Sequence, residues 1–448
     1  MSTRLRFAVL LATAATVFAA CGGGGGSAAP SAAAPESQAA PSAGGASEAP
    51  ASAAAGGEPV TVDWWHITTG EPGKSDFQAA ADAYMAEHPN VTIKTTVLAN
   101  EEFKTKLSTT AAADYPDLFQ SWGGGIMAQQ ADAGLLKDIT ADIADWKDTI
   151  NPGAMSIYQY QGKQYGVPWD MGMIGFWYNK KLFEQAGITA PPATWDEYLD
   201  AVGKLRAAGI DPLAIAGKDK WPSMHLWTYL VLRNGGGDAL SQMIESGDWN
   251  TDACTKAGQD VLALNELDPY QAGYKNADYN HEAAAVGNGK AAMELMGQWA
   301  PSVEADQSAD KKGLGDDLGW FPFPTVDGGA GAATDGVGGG NGIAVGVNAP
   351  PEAIDFLKYF SSADVGNKLN TDGVGLSTVA GTEATVTDPN LQAVLAGRGD
   401  AQFMQLYLDQ ATSGALSQAF NDATIALFLG QSSPEEVCQA LTDAAAAG

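Results

Sequence analysis

Between residues 60 and 139, short β-branched runs alternate with longer stretches that have helical spacing. The runs VTVDWWHI (60–67) and VTIKTTV (91–97) predict strands, because β-branched and aromatic residues dominate them, and DLFQSW (117–122) predicts a third strand. The stretches that follow these runs place apolar residues three and four positions apart, which is typical of an amphipathic helix. Strands that alternate with helices predict an α/β domain with a mainly parallel sheet.

The same pattern returns farther along the chain. NGIAVGVN (341–348) predicts another strand, and a helix is expected over 351–360. The C-terminal part is expected to be helical over 402–429 and 434–447. The first helix of the chain is expected to begin at Ser75, because a serine hydroxyl is a favourable N-cap.

Residues 1–20 predict a secretory signal peptide. Arg4 and Arg6 precede an apolar run that ends at Phe18, and small residues follow it. A basic start, a short apolar core and small residues before the cleavage site are typical of such a signal. The apolar run is too short to cross a bilayer core of about 30 Å as a helix.

Ala19, Ala20 and Cys21 resemble the lipobox of bacterial lipoproteins. The resemblance implies that Cys21 is lipidated and becomes the mature N-terminus. The alternative is cleavage that leaves Cys21 as an ordinary thiol. Residues 21–58 consist almost wholly of Gly, Ala, Ser and Pro, which predicts a lipid-anchored flexible linker. A flexible coil of this length has a root-mean-square extension of about 35 Å.

The charge of the chain limits its partners. It carries 53 acidic residues against 24 lysines and arginines, which gives a formal charge of −29. A body this acidic repels nucleic acid and anionic lipid surfaces, so we expect a neutral or cationic ligand and no nucleic-acid partner.

No motif in the sequence indicates a cofactor or a metal. There is no G-x-S-x-G sequence and no P-loop, and none of the four histidines stands at zinc-ligand spacing from another His or Cys. The GVGGGNG stretch (336–342) lacks the strand–turn–helix setting of a dinucleotide-binding loop. We therefore expect neither a cofactor nor a metal.

Two cysteines remain if Cys21 carries lipid. Cys254 and Cys438 would then lie in an exported chain, where disulfides persist. We expect them to form a disulfide. The alternative is a pair of buried free thiols.

Five stretches together resemble the bacterial extracellular solute-binding protein family 1, the sugar-binding lipoproteins of ABC importers. The resemblance covers essentially all of residues 59–448. It is carried by YPDLFQSWGGG (115–125), YGVPWDMGMIGFWYNKKLFEQAGI (165–188), PATWDEYLDAVGKL (192–205), GKAAMELMGQWAP (289–301) and FPTVDGG (323–329) with NGIAVGVNAP (341–350).

The resemblance implies an α/β, two-lobed, periplasmic-binding-protein-like (type II) fold with discontinuous lobes and a hinge between them. The chain is expected to cross between the lobes near residues 169–172 and again near 321–325. The implied lobes comprise residues 59–169 plus 326–375 for lobe 1 and residues 170–325 plus 376–448 for lobe 2.

The resemblance also implies a function. The protein is expected to be exported and lipid-anchored to the outer face of the cell membrane, or periplasmic if an outer membrane exists. It is expected to capture a sugar, most simply an oligosaccharide, between the lobes and to deliver it to a membrane permease without catalysis. Two alternatives stay open: a secreted lipoprotein glycoside hydrolase, which needs two carboxylates about 5–9.5 Å apart, and the same fold with a non-sugar solute.

Aromatic side chains are the first candidates for a sugar site, because the C–H face of a sugar matches a flat ring. Trp122 ends a predicted strand before three glycines, and Trp299 stands where the family has a stacking aromatic. Trp65 and His66 leave the first strand, and Trp221 lies in a polar loop. Open α/β sheets bind ligands at such strand ends.

Polar candidates complete the expected site, because every hydroxyl that is buried unpaired costs about 1–3 kcal/mol. Asp170 lies at the expected hinge. The other candidates stand in loops or at element ends and comprise Glu101, Glu102, Lys220, Gly340 and Asn341.

Overall fold

The structure is a computed structural model that describes residues 57–412 and 414–447. Cys21, the expected signal peptide and nearly all of the expected linker lie outside the described residues. The strands are β1 (Val60–His66), β2 (Val91–Val97), β3 (Leu118–Ser121), β4 (Gln159–Tyr160), β5 (Lys163–Gln164), β6 (Gly166–Pro168), β7 (Gly172–Met173), β8 (Gly175–Asn179), β9 (Asp211–Leu213), β10 (Ala291–Met296), β11 (Leu318–Phe321), β12 (Gly336–Gly339), β13 (Gly342–Val345) and β14 (Met404–Leu406).

Helices separate most of these strands. They are α1 (Gly73–Glu87), α2 (Asn100–Thr109), α3 (Gly124–Asp132), α4 (Pro152–Ser156), α5 (Lys180–Gln185), α6 (Trp195–Ala207), α7 (Trp221–Ser246), α8 (Asp252–Asn265), α9 (Tyr279–Gly287), α10 (Ala300–Gln307), α11 (Pro351–Phe360), α12 (Ala363–Thr371), α13 (Pro389–Asp400), α14 (Leu408–Ala411), α15 (Gly414–Phe428) and α16 (Pro434–Ala447).

The first sheet has the strand order β2-β1-β3-β13-β6. Strands β1, β2 and β3 are parallel, whereas β13 runs antiparallel to both β3 and β6. The expectation of a mainly parallel sheet is therefore wrong, and the sheet is mixed. The reason is that the chain leaves the sheet after Pro168 and re-enters at Gly342, the residue paired with Pro168, so β13 must run back along β6.

Helices α1 and α11 contact the first sheet and enclose an aromatic core with it. Trp64 of β1 stacks on Phe77 at a centroid distance of 5.4 Å and meets Phe356 and Phe360 edge-on. Helix α1 begins at Gly73 and not at Ser75, and the amide of Ser75 donates to Glu71 Oε2 at 3.1 Å in its first turn. The proline before Gly73 supplies the N-cap residue instead, so the expected serine cap is wrong.

The second sheet has the order β11-β8-β10-β9 and is also mixed. Helices α7, α8, α15 and α16 contact one another beside it and form a large apolar core. A disulfide joins Cys254 of α8 to Cys438 of α16, with 6.1 Å between their Cα atoms. This bond ties the C-terminal helix to the middle of the chain.

A third, small sheet of order β14-β12-β7 lies where the chain passes between the other two. Strand β14 pairs in parallel with β12, so the expectation of uninterrupted helix over 402–429 is wrong. The strand forms because Gly336–Gly339 offers a row of backbone groups beside Met404–Leu406. The proposed lobe boundaries remain a prediction.

Arg233 of α7 holds the segment that leads from the second sheet into β12. Its side chain is 1% exposed and donates hydrogen bonds to the carbonyl oxygens of Phe323 (3.0 Å) and Pro324 (3.0 Å). It also donates to the carbonyl oxygens of Ala332 and Asp335, each at 2.8 Å. A buried charge is tolerated only with such complete pairing, and here backbone oxygens provide it.

Replacing this arginine should destabilise the protein strongly. Arg233→Met removes the charged donors and leaves several buried carbonyl oxygens unpaired, so we expect the free energy of unfolding to fall by about 3 kcal/mol or more. Urea unfolding followed by circular dichroism measures this loss. Lys256→Met, at an exposed lysine of α8, is the matched control and should leave the midpoint unchanged. Equal midpoints for the two variants would contradict the role given to Arg233.

Candidate functional site

A cavity of about 190 Å³ lies at the carboxyl ends of β1, β2 and β3. Residues of α7 and α9 and the segment around Trp299 also line it. Such strand ends are the usual ligand sites of open α/β sheets. The side chains and backbone that line it are Ile67, Thr68, Thr69, Gly70, Gly73, Ala99, Asn100, Lys104, Gln120, Trp122, Trp169, Trp221, His225, Tyr279, Asn280, Trp299, Ser302, Val303, Asn341, Val374, Tyr407, Asp409 and Gln410.

Trp122 forms the aromatic surface on the first sheet's side of the cavity. It follows β3 directly, and its ring meets Phe103 edge-on at 6.2 Å between centroids. Lys104 Nζ lies 5.6 Å from the centre of the Trp122 ring. The indole is partly exposed, and it is one of the side chains that line the cavity. Its contact with a ligand remains a prediction.

Five rings form what we call the aromatic wall on the opposite side: Trp221, His225, Tyr279, Trp299 and Tyr407. Trp221 lies 5.4 Å from His225 and 5.2 Å from Tyr279, and Tyr407 lies 5.2 Å from His225 and 6.1 Å from Trp299. The wall is assembled from four separate chain segments. Because the sequence does not show that these segments meet, it indicated only Trp221 and Trp299 as candidates. Burial lowers the pKa of His225 to about 3, so its ring is neutral at pH 7.

Lys220 does not line the cavity but sets the position of Trp221. Its backbone has a φ of 69° and a ψ of −48°, and the Trp221 amide donates to the Asp219 carbonyl at 2.8 Å, which is a strained γ-turn. The Lys220 ammonium forms an ion pair of 2.5 Å with Asp422. This turn aims the first residue of α7 at the cavity.

Asp170 lies where the chain leaves the first sheet, and its carboxylate is fully engaged by protein donors. Oδ2 accepts from Gln298 Nε2 at 2.6 Å and from Asn341 Nδ2 at 2.9 Å, and Oδ1 accepts from the Leu376 amide at 2.7 Å. Burial raises its pKa to about 6, although these donors act in the opposite direction. Asp170 thus joins chain segments and does not line the cavity.

Asn341 lines the cavity, and its side chain extends the same network. Its Oδ1 accepts from Gln120 Nε2 at 2.8 Å. Gly340, the residue before it, lies outside the cavity lining. A Cβ at this glycine would stand 1.7 Å from the Asp170 carbonyl oxygen, so the glycine serves a close backbone approach.

Trp65 and His66 lie in the protein interior and not among the lining residues. The Trp65 ring faces helix α2, where Lys106 Nζ stands 4.0 Å from its centroid. His66 is 2% exposed and packs between Trp64 and Phe77, and burial lowers its pKa to about 4. Both residues are covered because helices pack on the two faces of the sheet.

Glu101 and Glu102 are exposed on α2 and do not line the cavity. Glu101 instead forms an ion pair of 2.9 Å with Lys104, one turn later. Asn100 and Lys104 are the α2 residues that line the cavity. Helical spacing places these two, four positions apart, on one face of the helix.

Three carboxyl groups are buried near Tyr279 and Trp299 in the sequence: Glu282 of α9, Glu294 of β10 and Glu304 of α10. Each is about 1% exposed or less. Burial raises the pKa of all three, and that of Glu304 reaches about 7. The folded protein therefore holds protons here that the unfolded chain has already released at neutral pH.

Stability should consequently fall as the pH rises. A raised folded-state pKa means that stability is fully present below the unfolded value of about 4.5 and is lost as the pH passes through about 7. We expect a lower thermal midpoint at pH 8 than at pH 5, and a smaller difference in Glu304→Gln. Calorimetric scans at both pH values measure this. Glu435→Gln, at an exposed acid of α16, should keep the full wild-type difference, and the same difference in Glu304→Gln would refute the assignment.

Two further findings concern the chain from residue 57 onward, apart from residues 413 and 448. This part contains no group of three or more His, Cys, Asp or Glu side chains placed to hold a metal ion. It also contains no helix with the length and apolar character that a membrane crossing requires.

Comparison with protein families gives a match for residues 68–367. They match the model of the bacterial extracellular solute-binding proteins. This range is more than half of the 448-residue chain.

Among curated proteins, the chain is similar to a probable sugar-binding periplasmic protein of Mesorhizobium japonicum, at 28% identity over 49% of this chain and 52% of that protein. It is also similar to the multiple sugar-binding protein of Streptococcus mutans, at 27% identity over 62% of this chain and 66% of that protein. The matched segments thus span about half to two thirds of these relatives.

Solved structures show the fold over a longer range. One, from a study of xylan utilisation by the thermophilic bacterium Caldanaerobius polysaccharolyticus, superposes with a TM-score of 0.80 at 27% identity and covers 86% of this chain and 99% of that one. A chitin oligosaccharide binding protein superposes with a TM-score of 0.77 at 23% identity, over 87% and 99% of the two chains. The chain therefore has the periplasmic-binding-protein-like α/β fold.

Proposed function

The chain belongs to the bacterial extracellular solute-binding protein family, and from that premise we propose that it captures a neutral saccharide, most simply an oligosaccharide, for delivery to the permease of an ABC importer. The observation that carries the proposal is the cavity between Trp122 on one side and the aromatic wall on the other. The sugar-binding names of the relatives from M. japonicum and S. mutans support it.

The chemistry of the cavity suits a carbohydrate. A sugar ring offers apolar C–H faces that stack on indole and hydroxyl groups that need partners. Trp122, Trp221 and Trp299 supply the rings, whereas an anionic or nucleotide ligand would need a cationic lining. One lysine, Lys104, lines the cavity. Its ammonium group already forms an ion pair with Glu101, so its charge is partly neutralised.

Polar atoms of the wall have hydrogen-bonding capacity to spare. Trp221 Nε1, His225 Nδ1 and Tyr407 Oη are buried and have no hydrogen-bond partner within the described residues. These three atoms are covered by neighbouring residues, so a hydroxyl of the ligand or a bound water can pair with them only if the rings of the wall move on binding. Small-molecule sites commonly combine an apolar surface with a few such groups.

These contacts are sufficient for useful affinity. A dissociation constant of 1 µM corresponds to about 8 kcal/mol. Two stacked rings contribute about 0.5–1.5 kcal/mol each beyond the burial of apolar area, and several paired hydroxyls add about 1 kcal/mol each. Burial of the sugar's C–H faces supplies the remainder.

Delivery requires that binding changes the shape of the protein. We propose that lobe 1 (59–169 plus 326–375) and lobe 2 (170–325 plus 376–448) close on the sugar about the segments joined by Asp170. A ligand closes them only if it binds the closed arrangement more tightly than the open one. The permease would then recognise the closed form.

The proposal includes the location of the protein. Lipidated Cys21 would anchor it to the outer face of the membrane, and residues 21–58 would let the body stand away from the surface. Cys21→Ser should move the protein from the membrane fraction into the soluble fraction of the producing bacterium, as immunoblotting of the fractions measures. Ser27→Ala, in the same linker, should stay membrane-bound. Membrane retention of Cys21→Ser would refute the anchor.

Removing either tryptophan platform should weaken binding. Trp122→Ala and Trp299→Ala each lose a stacking surface, and we expect at least a tenfold rise in the dissociation constant, or about 1.4 kcal/mol. Tryptophan-fluorescence titration with maltotriose, cellotriose and xylotriose measures the affinity of the full chain, and chromatography of the same mixtures reports any hydrolysis.

The matched control is Trp320→Ala, at a partly exposed tryptophan outside the cavity lining, and it should bind like the wild type. Unchanged affinity in both cavity variants would remove the proposed site. Hydrolysis of the sugar would contradict the binding function and would support the alternative, a glycoside hydrolase.

A further inference from the structure

Asp409 lines the cavity although it is only 5% exposed. It belongs to the short helix α14, whose backbone packs tightly against the glycines that follow Trp122. A Cβ at Gly124 would stand 2.5 Å from the Gln410 carbonyl oxygen, and one at Gly125 would stand 2.6 Å from the Thr412 carbonyl oxygen. These backbone contacts fix the position of Asp409 relative to the Trp122 side of the cavity.

The two oxygens of the Asp409 carboxylate differ in their surroundings. Oδ2 accepts from Gln410 Nε2 at 3.1 Å and from Asn421 Nδ2 at 3.4 Å. Oδ1 receives no hydrogen bond from any described residue, and it is not sealed from the cavity. No lysine, arginine or histidine among the described residues forms an ion pair with Asp409. Among the described residues, Oδ1 of this lining carboxylate is therefore left to accept a hydrogen bond from a ligand.

A nearly buried carboxylate without a cation needs strong donors, because its desolvation is costly. Gln120 adds a second acceptor to the lining. Its Nε2 donates to Asn341 Oδ1, and its side-chain oxygen Oε1 accepts no hydrogen bond from the described residues. The charged amine of the lining, Lys104, is paired with Glu101. The cavity thus presents acceptors to the ligand and repels ligand carboxylates.

On the basis of the proposed function, we infer that Asp409 determines the specificity of the cavity. Its Oδ1 accepts a hydrogen bond from a hydroxyl of the bound saccharide, and its charge excludes sugars that carry a carboxylate at that place. The site therefore takes neutral oligosaccharides with a free hydroxyl opposite Asp409 and rejects uronic acids.

Calorimetric titration of the full chain tests this with maltotriose, cellotriose, xylotriose and trigalacturonic acid. The neutral trisaccharide that binds tightest is then compared with its mono-deoxy derivatives. In the wild type, one deoxy position should cost at least tenfold in affinity, because hydrogen bonds to charged groups contribute about 1.5–3 kcal/mol. Asp409→Ala should bind the parent sugar at least tenfold more weakly and should no longer distinguish that deoxy derivative from the parent.

Asp409→Asn keeps the shape and an acceptor oxygen, so it should bind the parent sugar with an intermediate affinity. It serves as the test if the alanine variant fails to fold. Asp443→Asn, at an exposed acid of α16, is the matched control and should behave as the wild type.

Two results separate the possible failures. If both Asp409 variants bind and discriminate like the wild type while Trp299→Ala loses affinity, the inference about Asp409 is overturned and the proposed function stands. If the wild type binds trigalacturonic acid and none of the neutral trisaccharides, the proposed neutral-sugar function and this inference both fail.

Discussion

The architecture depends on one buried carboxylate. Asp170 is 1% exposed, and it accepts hydrogen bonds from Gln298 beyond the second sheet's β10, from Asn341 before β13 and from the Leu376 amide. These donors come from three separate passages of the chain, so a single side chain holds together the place where the two sheets meet. Burial raises the pKa of Asp170 to about 6, and these bonds and the nearby charge of Arg398 act against that rise. In the proposed closure, this junction is the place about which the Trp122 side and the aromatic wall approach each other.

The ligand cavity follows from that junction. The first sheet contributes strand ends, with Trp122 and the α2 residues Asn100 and Lys104, and the other side contributes five rings that no single element could assemble. Arg233 and the strained turn at Lys220 keep the second side in place, one through backbone oxygens of the crossing segment and the other through the start of α7. Apolar ring faces and an acceptor carboxylate are together suited to a neutral, hydroxyl-rich ligand.

Local patterns in the sequence predicted the elements better than the site. The strand at 91–97 and the helices at 351–360 and 434–447 have the expected bounds, because β-branched runs and apolar spacing act within a few residues. Trp122, Trp221, Trp299 and Asn341 were expected at the site and do line the cavity, since strand and helix ends are visible locally.

His225 was missed although it stands four residues after Trp221 on the same helix face. Tyr407 and Asp409 were missed because they follow a short strand, β14, that forms only by pairing with the distant β12. Trp65 and Glu101 were expected at the site because they stand near strand ends, but which way a side chain faces there depends on helix packing that the sequence does not show.

The central claim is that a saccharide lies between Trp122 and the aromatic wall. A crystal structure of the full chain grown with a saturating neutral trisaccharide measures this most directly. The account predicts density for the sugar inside the cavity, with one sugar ring in van der Waals contact, within about 4 Å, of the Trp122 or Trp299 indole. Sugar bound elsewhere on the protein, with neither indole in contact with it, would contradict the account.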